Sequence, residues 1–134
     1  MRTITTVEMN PDSREEYLPG YTPQFPHIAS HIDGRLYQSD VAPWHWHESV
    51  ELFYVRRGSI LYRTPHAEHI VHAGCGGMVN SNILHTTKIL DPSLDMVLHL
   101  FSPSLVAGVA GGTVEQRYIR PLTADAGHEL ILLT

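Results

Sequence analysis

Turn signals cut the middle of this chain into pieces of strand length. Asp33-Gly34, Arg57-Gly58, Pro65-His66, Gly74-Cys75-Gly76-Gly77 and Asp91-Pro92-Ser93 are all turn-forming clusters. Between them lie residues 49–55, 59–64, 69–73, 78–82, 85–90 and 95–101, rich in β-branched and aromatic residues. Asp33-Gly34 further predicts a hairpin joining residues 25–30 to residues 35–40. Short strands at this spacing predict an all-β barrel or sandwich. Residues 128–134 read as a closing strand. Helix is scarce. Residues 113–119 predict one, opened by the Thr113 and Gln116 capping pair and stopped by Pro121. Ser13 and Glu16 have the same capping spacing and predict one helical turn ended by Pro19-Gly20.

The 134 residues suffice for one domain. Residues 1–24 are polar and proline-punctuated and read as an arm; residues 25–134 read as the folded domain. The single cysteine, Cys75, forbids an internal disulfide and fits the reducing cytoplasm. The first ten residues lack the apolar core of an export signal, and no apolar run has the length of a membrane span. A net charge of −5 lacks the basic footprint of a nucleic-acid binder.

Ten histidines are many for such a chain. His45 and His47 alternate with Trp44 and Trp46, so on a strand the imidazoles share one face and the indoles the other. Glu51 keeps the parity of the histidines. Two imidazoles and a carboxylate suit zinc, nickel, iron, manganese or copper. The plainer reading is a polar strand face, because spacing alone leaves a further ligand to come from elsewhere. The tryptophans read as an outer face packed under the arm.

His45-x-His47-x3-Glu51-x6-Gly58 resembles the first motif of the cupins, with Ser39 where that motif opens on glycine. Residues 74–85 resemble the second, with Cys75 in place of its aspartate, Asn80-Ser81 in place of Asn-Pro, and His85 at its histidine. Phe101-Ser-Pro-Ser-Leu105 and Tyr118-Ile-x-Pro-Leu122 narrow the likeness. Together these blocks resemble the amino-terminal sensor domain of AraC-type transcription regulators over residues 25–134.

The resemblance implies a cupin barrel (a jelly roll) that binds a small-molecule effector, with a divalent metal held by His45, His47, Glu51 and His85. It implies homodimers, and DNA contact only through a helix-turn-helix half beyond residue 134. A sensor of this kind is not an enzyme. The same four residues would also serve a small metal-dependent cupin dioxygenase or isomerase, and a third reading is a binding module without metal. Tyr54, Tyr62 and His99 are the acid–base candidates an enzyme would need. His99 joins the predicted pocket by strand parity, though a solvated histidine satisfies the pattern equally well. His66, His69 and His72 read as surface residues, and His27, His31 and His128 show no ligand spacing.

Overall fold

The computed structural model describes residues 1–125 and 127–134. Ten strands form two sheets. In chain order they are β1 (Arg2–Thr3), β2 (His27–Asp33), β3 (Val41–His45), β4 (Val50–Arg57), β5 (Ser59–Arg63), β6 (Glu68–His72), β7 (Gly76–Val79), β8 (His85–Ile89), β9 (Asp95–Phe101) and β10 (Leu130–Leu133). One sheet runs β1-β2-β9-β4-β7-β10 and the other β3-β8-β5-β6. From β2 to β9 the chain changes sheet at every connection except the β5–β6 hairpin. That alternation is the jelly-roll solution to burying two half-apolar sheets against each other.

Strand parity decides what lies between the sheets. On β9, Met96, Leu98 and Leu100 are buried while His99 is exposed. On β4, Glu51, Phe53 and Val55 point inward and Leu52 and Tyr54 outward. With Ile60, Tyr62, Val71, Val79 and Leu94 the inward apolar residues of β4 and β9 form one core. Phe53 and Tyr62 stack across the sheets with ring centroids 4.1 Å apart. Phe53 needs Gly77 opposite it on β7, because a Cβ there would stand 2.7 Å from its ring. Gly58 turns the chain from β4 to β5 at φ +78°, where an L side chain is strained.

Four expectations change. Asp33-Gly34 does turn the chain, but β2 and β3 belong to different sheets, so no hairpin forms. Residues 35–40 are irregular because Gly34 N–H bonds to Leu94 O, leading the chain away from β2. Residues 13–16 form no helical turn. The Asn10 side chain accepts from the N–H groups of Asp12 and Ser13, and Glu16 N–H bonds to Trp46 O. Pro121 does not end the helical segment. A π turn over Glu115–Ile119, closed by Arg120 N–H to Glu115 O, precedes it, and the proline enters at the first turn of α2 (Arg120–Thr123). Its missing N–H costs nothing there. A short helix, α1 (Ser104–Ala107), was not legible.

The arm lies along the barrel. β1 pairs in parallel with β2, Met9 bridges Glu16, and Glu15 bridges Trp46. Trp46 Nε1–H donates to Ser13 O, and Arg14 donates to Trp44 O. The Trp46 indole thus packs under the arm, and Trp44 meets the arm through its carbonyl.

Candidate metal centre

The polar end of the barrel interior is built from both sheets. His45 closes β3 and is paired in register with His85, which opens β8. A β-bulge between Ala42 and His45 adds one residue to β3 and aims His45 inward. His47 follows two residues on. All three imidazoles are buried, and their ring centroids lie 4.3 to 6.1 Å apart. Glu51 projects from β4 in the facing sheet. Its Oε2 lies 3.3 Å from His47 Nε2 and 3.5 Å from His85 Nε2. Its Oε1 accepts from Tyr62 Oη at 2.7 Å. The three imidazoles therefore cluster, and Glu51 stands against two of them.

The outer nitrogen of each ring is committed to the backbone. His45 Nδ1 is 2.7 Å from Pro43 O, His47 Nδ1 is 2.9 Å from Ser49 O, and His85 Nδ1 is 2.8 Å from Ile83 O. A carbonyl can only accept, so each Nδ1 carries the proton. Every Nε2 is left to face the interior. His85 Nε2 is buried without a hydrogen-bond partner among the described residues. An inward electron pair with no donor is costly unless a cation meets it. Fixing a ligating histidine through its far nitrogen is the usual support of a metal site. Both observations fit the implied ion. His45, His47, Glu51 and His85 would hold it, and it would supply Lewis acidity to a bound oxygen ligand.

The electrostatics follow from burial and proximity. Burial depresses the His45 imidazole to about 3, so it stays neutral. Burial pulls the His47 pKa down too, but the Glu51 carboxylate outweighs it and the net shift is upward. Burial alone would raise Glu51, yet the His47 and His85 rings hold it well below the usual carboxylate range. Tyr62 is pushed well above 10 by burial and by Glu51, so its hydroxyl remains a donor.

Two residues at this site gave no ligand signal in the sequence. Glu16, from the arm, places Oε2 3.8 Å from His45 Nε2 and 3.9 Å from His47 Nε2, with its side chain only 8 % exposed. Burial raises its pKa. Tyr37, from the irregular segment before β3, lines the same chamber, and burial pushes its hydroxyl up to about 12. Besides these polar groups the chamber is walled by Ile4, Val7, Ile32, Ala42, Ile60 and Leu98, and its free volume is about 40 Å³.

His99 corrects the predicted pocket. It lies on the exposed face of β9, stacked on His27 with Nδ1 and Nε2 3.0 Å apart, because alternation assigns the inward positions to Leu98 and Leu100. Tyr54 faces outward as well. Of the acid–base candidates only Tyr62 touches the cluster. His31 bonds to Asp95, and His66 to Glu129.

The family model described as AraC-like ligand binding domain matches residues 27–129. No curated protein sequence matches the chain. Among solved structures it is similar to a cupin-2 domain protein from Shewanella frigidimarina, at 14 % identity and a TM-score of 0.44, over 55 % of this chain and 66 % of that one, just under two thirds of it. It is similar to KdgF from Halomonas sp. at 16 % identity and a TM-score of 0.46, over 56 % of this chain and 67 % of that one. It also resembles the oxalate decarboxylase of Bacillus subtilis (an S161A mutant) at 17 % identity and a TM-score of 0.44, over 58 % of this chain and 27 % of that one.

Proposed function

Because the chain belongs to the AraC-like ligand-binding-domain family, we propose that it is the effector-sensing cupin domain of an AraC-type transcription regulator, built around a divalent transition-metal site. The observation that carries the metal is the cluster of the His45, His47 and His85 imidazoles, each ring fixed through Nδ1, with Glu51 against the Nε2 atoms of His47 and His85. In this reading the site binds a small molecule and does not transform it. Binding acts by favouring one arrangement of the arm or of the carboxy-terminal helical segment over another. That segment is tied to the site, since Asn82 N–H bonds to His47 O and the Asn80 side chain donates to Leu122 O. The regulator works in the cytoplasm as a homodimer and meets DNA through a separate helix-turn-helix half. Among the described residues no helix is long and apolar enough to cross a membrane.

Elemental analysis of purified protein tests the ion, with one equivalent expected. A thermal-shift screen of small metabolites on metal-loaded and metal-stripped protein tests sensing; a ligand that stabilises only the loaded form is expected. Turnover of that ligand by the loaded protein would overturn the sensor reading in favour of an enzyme.

A further inference from the structure

Glu16 has an unusual position for a residue of a polar arm. Its side chain is nine-tenths buried, yet among the described residues its carboxylate makes no hydrogen bond. It points instead at His45 Nε2 and His47 Nε2, at 3.8 and 3.9 Å. Two donors of one first-row ion, each bonded at about 2.1 Å, can be at most roughly 4.2 Å apart, so both separations lie within the reach of a shared ion. The backbone holds the residue there. Glu16 N–H bonds to Trp46 O, between the two histidines, and Tyr17 N–H bonds to Glu8 O.

Glu16 also limits the space. It lines the inner chamber of about 40 Å³ and a cleft of about 170 Å³ outside it, bordered by Arg2, Thr5 and Tyr17. The chamber has room for about one water and none for a metabolite. A molecule that reaches the imidazoles must take the place of this carboxylate. Among the described residues no lysine or arginine lines the chamber, so the ion is what would attract an anion there.

We infer that Glu16 is an exchangeable ligand of the metal, a built-in carboxylate that an effector bearing its own carboxylate displaces. This rests on the metal reading above. The site therefore takes small organic acids, which bind the ion through an acid group in the position that Glu16 vacates.

The test uses the full chain loaded with Co²⁺, whose visible absorption reports its ligands, in wild type, Glu16→Gln and Glu16→Ala, with acetate as the probe acid. Both variants are expected to change the cobalt spectrum. Acetate should return the Glu16→Ala spectrum toward that of wild type, and should bind this variant at least about tenfold more tightly than wild type, where it must compete with Glu16. Glu16→Gln keeps the shape of the side chain and carries the comparison if Glu16→Ala misfolds. Wild-type spectra and unchanged acetate affinity in the folded variants would overturn the inference and leave the metal reading intact. Failure of wild type to bind cobalt would overturn both.

Discussion

His45 on β3 and His85 on β8 are direct cross-strand partners, their ring centroids 4.3 Å apart. Two buried imidazoles with both Nδ1 atoms bonded to carbonyls turn their Nε2 atoms toward the same space. A pair of acceptors without a donor between them is an arrangement that a cation stabilises.

Removing one imidazole should therefore cost the ion more than the fold. His85→Ala and His47→Ala are each expected to weaken metal binding at least about 100-fold with far-UV circular dichroism unchanged. Metal content after dialysis checks this, and wild-type stoichiometry in both variants would refute the ligand assignment.

Tyr62 should tune the same site from behind. Tyr62→Phe removes the donor to Glu51 Oε1 and leaves a buried carboxylate oxygen unpaired. The expected loss of stability in the metal-free protein is about 1–2 kcal/mol, read from urea unfolding. Metal affinity should change by about 10-fold or more.

Glu129 supplies a pH dependence remote from the metal centre. Its carboxylate accepts from Thr64 Oγ1, His66 N–H and the His66 ring. Burial would raise its pKa, but these bonds lower it below the ordinary 4.5. A folded-state pKa below the unfolded one stabilises at pH above the unfolded value, and the contribution fades as pH falls through the folded value. Glu129→Gln should thus cost about 1 kcal/mol near neutrality and progressively less in acid. Urea titrations across that range measure it, and a cost independent of pH would contradict the assignment.

Gly77 should tolerate no side chain. Gly77→Ala would place a Cβ 2.7 Å from both the Phe53 ring and Ile131 O. The expected destabilisation is about 1–3 kcal/mol, visible as a lowered thermal midpoint.

Self-association should arise at the carboxy-terminal helical face, where Val109, Val114 and Tyr118 are exposed. Sedimentation velocity is expected to show a concentration-dependent dimer that Val114→Asp weakens. A strictly monomeric profile at high concentration would contradict it.

Strands β4, β5, β6, β8 and β9 were legible because their ends are marked by turn residues and their faces by simple alternation. His45, His47 and Glu51 were legible through spacing and parity, the bulge notwithstanding, and His85 only through its likeness to the second cupin motif. Parity also proposed His99, and failed because it separates two faces without saying which is inside. The apolar residues on the opposite parity of β9 decide that. Glu16 and Tyr37 could not be read, since irregular backbone has no period and only the arm's pairing with Trp46 brings Glu16 inward. The absent 31–34 hairpin shows a related limit. A turn dipeptide fixes a reversal of direction, while the sheet that the next strand joins depends on long-range bonds such as Gly34 N–H to Leu94 O.

The way the arm threads past Trp46 decides where this domain can be cut. Residues 27–129 are the stretch matched by the family model, yet Glu16 lies ahead of it and β10 lies wholly beyond it. A gene trimmed to that stretch would keep the three imidazoles and Glu51 but leave the chamber open on one side, and would remove both edge strands of the larger sheet, β1 and β10. Measurements on such a fragment would describe a different binding cavity from the one the whole chain encloses.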